Sequence, residues 1–171
     1  MHSTPVSFTA RSLATLTLAC ALWAQTAQTA QAAGTVELRF VEPEKFSDIG
    51  ISTIERERSL SDLGHSFQGL GRFLPDNQTL RIEVLDIDLA GEPRPGTTRE
   101  VRIVRGGIDI PRITLRYSLV ADGKTLNSGD AKLSDANYLQ SSRAQIAVGT
   151  NLPYERRMLE SWARETFVQA Q

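Results

Sequence analysis

Apolar and charged residues alternate one for one along several separate stretches of this chain, and that period restricts the fold to one built on a sheet with a single buried face. Val36, Leu38 and Phe40 alternate with Glu37 and Arg39. Leu80, Ile82 and Val84 alternate with Arg81 and Glu83, and Ile113, Leu115, Tyr117 and Leu119 with Arg112, Thr114 and Arg116. Period two marks a strand whose successive side chains reach opposite faces. Val101 and Ile103 predict a shorter strand with Glu100 and Arg102 outward. Asp122-Gly123, ahead of Thr125-Leu126, is a two-residue hairpin signal, because glycine takes the positive φ of a type I′ turn at no steric cost.

The alternation changes parity twice. After Val84 the apolar residues are Ile87 and Leu89, while Asp86 and Asp88 occupy the register of the earlier buried positions. A bulge near Leu85 keeps every apolar residue inside and turns both aspartates outward. A second change between Leu126 and the pair Ala131 and Leu133 places a bend at Gly129. Gly91 to Gly96, with Pro93 and Pro95, reads as a loop.

Two stretches carry the helical period instead. Ser52-Thr53-Ile54-Glu55 is a capping box, followed by Leu60, Leu63, Phe67, Leu70 and Leu74 at spacings of three and four, with unwinding expected from Gly69 and an end near Pro75. Pro153 suits a first helical turn, and Tyr154, Met158 and Trp162 follow at spacings of four, a stripe expected to pack on the sheet. Residues 134–152 have no sustained period. The expected fold is α+β: a mainly antiparallel sheet of about five strands with two helices packed on one face and the other face wet.

Residues 1–32 read differently. A short basic start ends at Arg11, an apolar run extends from Leu13 to Trp23, and Ala30-Gln31-Ala32 gives a small-x-small cleavage pattern. This is the form of a secretory signal peptide, and its apolar run is short of the roughly 20 residues of a membrane-spanning helix. Cleavage after Ala32 leaves one α+β domain, residues 33–171, exported to the periplasm with no transmembrane anchor. Cys20 is the chain's one cysteine and leaves with the signal; Leu18 lies one position from where a lipidation signal has it, so cleavage at Ala32 rather than lipid anchoring at Cys20 is expected. The processed domain then has neither a disulfide nor a Cys-ligated metal.

The whole chain carries 19 Lys and Arg against 20 Asp and Glu, without long blocks of either sign. Such a balance argues against a nucleic-acid partner, which calls for a basic patch. Asp86 and Asp88, about 6.5 Å apart along one strand face, are spaced to hold a cation or to work across a substrate bond, but they sit among arginines where cross-strand ion pairing is the competing role. The ligand or partner candidates are Asp86 and Asp88 with Arg102 and Arg112, and Asp135 and Tyr138 as loop neighbours. His65 and Ser66 are adjacent on a helix and do not face each other, so no nucleophile–base pair forms there. One histidine outside the signal and no cysteine make no transition-metal site. No catalytic residue, metal or cofactor is assigned.

The stretches Phe40-Val41-Glu42-Pro43-Glu44-Lys45-Phe46-Ser47-Asp48, Asp86-Ile87-Asp88-Leu89-Ala90-Gly91, Pro111 to Tyr117, Leu133-Ser134-Asp135-Ala136-Asn137-Tyr138, and Tyr154-Glu155 with Trp162 share a pattern with known sequences. On them the chain resembles the domain of unknown function 3016 family. They cover nearly the whole processed domain. The resemblance implies a secreted bacterial protein of the Gram-negative envelope and no reaction. The function expected is a non-catalytic module that binds an envelope protein or another periplasmic component; the alternative is a small hydrolase or divalent-cation-dependent enzyme using Asp86 and Asp88.

Overall fold

A computed structural model describes residues 33–94, 102–105, 107–140 and 152–168; the expected signal peptide lies outside them. Strand β1 (Thr35–Phe40) leads through a 3-10 turn at Pro43–Lys45 to helix α1 (Thr53–Gln68), and then come β2 (Gln78–Asp88), β3 (Glu92–Pro93), β4 (Arg102–Ile103), β5 (Arg112–Ala121), β6 (Lys124–Ser134) and α2 (Pro153–Ala163). Helix α1 opens on the capping box: Ser52 Oγ accepts from the Glu55 N–H, and Glu55 Oε2 accepts from the Ser52 N–H. The Ser52 N–H and then the Ile51 N–H, both donating to Glu55 Oε2, hold the Glu55 carboxyl below its ordinary pKa. The α-helix ends at Gln68 and Gly69–Phe73 continues as 3-10 helix, the unwinding that the glycines imply.

The main sheet has the order β1-β2-β5-β6, and β3 pairs β4 in a separate two-stranded ribbon. The ladders β2–β5 and β5–β6 are antiparallel, but β1 and β2 are parallel. The fold is α+β as expected and two of the three ladders of the main sheet are antiparallel, but the single sheet of about five strands is corrected to a mixed four-stranded sheet beside a two-stranded ribbon. The reason is the connection, since α1 carries the chain back along the sheet before β2 begins, and a helical crossover joins parallel neighbours. The predicted strand at Val101–Ile103 is outside the sheet, in the ribbon; Val101 itself is outside the described residues. Glu92–Pro93, expected as loop, supplies the ribbon's other half, where a proline needs no inner N–H.

One core lies under both helices. Leu80, Ile82, Val84 and Ile87 of β2 and Ile113, Leu115 and Leu119 of β5 pack with Leu63 and Phe67 of α1 and Met158, Leu159 and Ala163 of α2. The register slips between Val84 and Asp86, so the bulge at Leu85 exists: Ile87 stays buried while Asp86 and Asp88 turn out. At the hairpin, Asp122 and Gly123 have φ of 50° and 74°, as a type I′ turn requires.

The second bulge is displaced from the expected position. Leu119 pairs Asn127 and Val120 pairs Thr125, so Leu126 is the extra residue and is 55% exposed. The parity change occurs beside the turn, and Gly129 has a different role. It sits opposite Tyr117, where a Cβ would touch the ring at 3.5 Å.

Trp162 is half-buried, packed edge-on against Tyr117 (5.4 Å between ring centroids) and Phe167 (5.3 Å). Truncation to alanine should cost about 2–3 kcal/mol, below the roughly 3–5 of a fully buried aromatic. Urea unfolding of Trp162→Ala checks this, and an unchanged midpoint would mean that α2 is held by Met158, Leu159 and Ala163 without help from the indole.

Candidate functional site

The two aspartates of β2 are engaged with neighbouring chain. Asp86 Oδ1 accepts from the Ser47 N–H and Oδ2 from the Ser47 hydroxyl, each at 2.8 Å. Asp88 Oδ2 takes Arg112 Nη1 at 2.8 Å across the β2–β5 ladder. The backbone closes the same junction: Asp48 N–H donates to Ile87 O at 2.9 Å, and Leu89 N–H to Asp48 O at 3.2 Å. The pair thus fastens residues 47 and 48 to the end of β2 and ties β2 to β5.

The rest of the open sheet face is laid with similar pairs. Arg81 reaches Glu37 at 2.8 Å, Arg39 reaches Glu83 at 3.5 Å, and Arg116 bridges Glu83 at 3.8 Å and Asp130 at 3.0 Å. Each such exposed pair is worth about 0–1 kcal/mol, so their effect is to solvate the face and set register rather than to hold the fold. Between these long side chains the small residues Ser118 and Ser128 leave a shallow groove of about 500 Å³, bordered by Arg81, Glu83, Arg116 and Asp130.

Arg102 is not on that face. Its expected outward direction is corrected by the turn of the chain at Gly91, whose φ of 75° and bare Cα let β4 approach; a Cβ there would lie 2.7 Å from Ile103 O. The Arg102 side chain, 13% exposed, points into the junction. Nε donates to Ala90 O at 3.0 Å, Nη2 donates to Gly91 O at 2.6 Å, and the guanidinium pairs with the Asp48 carboxylate. Beneath it Glu155, 1% exposed on the first turn of α2, accepts the Ala90 N–H on Oε1 at 2.7 Å, while Oε2 is buried with no hydrogen bond. Burial pushes the Glu155 carboxyl above its ordinary pKa, opposed by the Ala90 N–H and the Arg102 charge and reinforced by Asp48.

Asp135 and Tyr138 belong to a second junction. Asp135 Oδ1 accepts the Asn137 N–H at 2.9 Å, and Oδ2 pairs with Arg157 of α2, which also donates to Tyr138 O at 3.3 Å. The Tyr138 ring is fully buried, edge-on to Tyr154 at 4.9 Å. Burial, with the charges of Tyr138 and Glu155 behind it, raises the Tyr154 hydroxyl pKa. The six candidates are therefore split three ways, into Asp86, Asp88 and Arg112 on the open face, Arg102 at the Glu155 junction, and Asp135 and Tyr138 under α2. Asp48 and Glu155 lie in stretches that carry the family resemblance but are not among the site candidates, and Arg157 is in neither set. An acid at the start of a helix is ordinary dipole compensation, and nothing local marks this one as buried. His65 is exposed, and Ser66 donates back to Asp62 O at 3.0 Å.

A family model described as a protein of unknown function (DUF3016) matches residues 34–165. The chain belongs to that family. No curated protein and no solved structure matches it. In this DUF3016 chain the Asp86-to-Gly91 segment is used residue by residue: Asp86 holds Ser47, Ile87 and Leu89 enter the core, Asp88 pairs Arg112, Ala90 bridges Glu155 and Arg102, and Gly91 admits β4. Among the described residues, no group of three or more His, Cys, Asp or Glu is placed to hold a metal ion, and no helix is long and apolar enough to cross a membrane.

Proposed function

We propose that this protein is exported to the periplasm and acts there as a non-catalytic binding module of the Gram-negative envelope, meeting its partner on the open face of the sheet. The observation that carries the reading is the commitment of the acidic pair: both Asp86 oxygens hold Ser47, and Asp88 is spent on Arg112. A carboxylate pair that works across a substrate bond faces a shared cleft, with one member a proton donor. Still accessible on the open face is the groove around Ser118 and Ser128, rimmed by Arg81, Glu83, Arg116 and Asp130 and lined by no residue of either helix. The rim of two arginines, a glutamate and an aspartate suits a protein partner that carries charges of both signs. Export rests on the N-terminal pattern, the envelope setting on the family resemblance.

A photo-crosslinking residue placed at Ser118, compared with one at the exposed helix position Ser61, tests this in periplasm-competent cells. The expected result is an adduct of defined mass at position 118 that is absent at 61. Equal labelling at both positions, or none, would overturn the surface. Divalent-ion-dependent turnover of a hydrolase substrate, lost in Asp86→Asn or Asp88→Asn, would overturn the non-catalytic reading instead.

A further inference from the structure

Among the described residues β6 pairs only with β5, which leaves its outer edge from Lys124 to Ser134 as a row of backbone donors and acceptors. An open edge is a template for another strand, and proteins usually blunt it with lysines or bulges. The Leu126 bulge interrupts only the beginning; from Asn127 to Ser134 each residue pairs in turn with β5. Asp130 and Lys132 stand two apart on the open face, opposite Arg116 and Thr114. Asp130 gives Oδ1 to Arg116, and Lys132 has no ion pair among the described residues.

We propose that β6 pairs antiparallel with β6 of a second copy about a two-fold axis at Ala131, joining two sheets into one of eight strands. The charge pattern selects that register. With the axis at Ala131, Asp130 of each copy stands opposite Lys132 of the other, giving two equivalent ion pairs. With the axis one residue earlier, Asp130 faces Asp130; one residue later, Lys132 faces Lys132. Like charges directly opposite are destabilising, and opposite ones stabilise the pairing. On the helix-covered face the same register sets Leu133 of one copy against Gly129 of the other, where the Tyr117 ring lies over the bare Cα. A two-fold contact of this kind uses the same patch on both copies and closes on itself, so it stops at a dimer. The interface is small, and its dissociation constant belongs in the micromolar range.

Sedimentation equilibrium of the purified protein from about 1 to 200 μM, a span that brackets micromolar affinity, tests the proposal. The wild type is expected to shift from monomer to dimer. Lys132→Asp sets acids against acids and Asp130→Lys sets lysines against lysines, so each alone is expected to remain monomeric over that range. Mixed one to one, the two variants restore both opposite pairs and are expected to form a heterodimer. A monomeric wild type, as when the edge serves a strand of some other protein, would overturn the proposal. So would a Lys132→Asp variant that dimerises like the wild type, or a mixture that stays monomeric while both variants melt cooperatively. The measurement uses the protein alone, so its failure is separate from failure of the open face to capture a partner.

Discussion

Replacing Arg102 by methionine should destabilise the fold by about 3 kcal/mol, a large share of the roughly 5–15 kcal/mol that holds a domain of this size. Methionine keeps most of the volume of the stem and removes the guanidinium, so the change isolates the polar contacts. They include the Asp48 carboxylate and the carbonyls of Leu89, Ala90 and Gly91. Breaking a sequestered pair by deleting one partner leaves the other charge without compensation, and such losses run to about 3–5 kcal/mol when burial is complete. Asp48 retains 24% exposure, which places the expected cost at the low end. Arg102→Lys should recover only part of it, because one ammonium does not reproduce a planar fork aimed at a carboxylate and three carbonyls. Denaturant midpoints of the two variants decide the matter: a methionine variant within about 0.5 kcal/mol of the parent would make Arg102 a surface residue in energetic terms.

What the sequence disclosed follows from how local each signal is. The capping box at Ser52, the unwinding at Gly69 and the Asp122-Gly123 turn are decided within four residues, and all three are present in the structure. The bulge at Leu85 was readable because its two sides have opposite parity with no room for another explanation. The bulge at Leu126 was misplaced by three residues because Gly129, the usual marker of a bend, drew the expectation away from the turn. Strand direction was illegible: β1 shows the same alternation whether its neighbour runs parallel or antiparallel, and only the path of α1 decides between them.

The candidate site was legible as a set of segments and not as an arrangement. Ser47-Asp48, Asp86 to Gly91, Arg112 and Glu155 are remote in sequence, yet they meet at one end of β2. Pattern reading assigns each to an element without saying that the elements converge. Arg102 shows the cost of this, since alternation with Ile103 places it outward, and the inward turn comes from β4 leaving the sheet to follow Gly91.

Glu155 gives the other large effect, and its sign depends on what replaces it. Glu155→Ala removes the acceptor of the Ala90 N–H and opens space beside α2 at a buried position, for an expected loss of about 2–4 kcal/mol at the acid end, toward about pH 4, where the parent carboxyl is mostly protonated in both states. Glu155→Gln keeps an acceptor for Ala90 and carries no charge. Because the folded-state pKa is raised above the ordinary 4.5, the unfolded chain ionises first as pH rises. The folded protein then holds the extra proton, and stability falls with pH until the raised folded value is passed, with a limiting slope of about 1.4 kcal/mol per unit. Glutamine has no such loss, so its stability relative to the parent should rise through that window and level off above it. Arg102 and Asp48 flank the carboxyl with opposite signs and are common to both proteins, as are all other titrating groups, so their contributions largely cancel in the difference. Thermal unfolding of parent, Gln and Ala variants from about pH 4 to 8, a range that spans the ionisation of a raised carboxyl, supplies the measurement. Parallel pH profiles for parent and Gln would show that Glu155 has the same pKa folded and unfolded, with the Ala90 N–H and the Arg102 charge fully offsetting burial, and would overturn the raised value. A Gln variant that gains on the parent with rising pH, while Ala loses most in acid, identifies a neutral carboxyl kept for its hydrogen bond to Ala90.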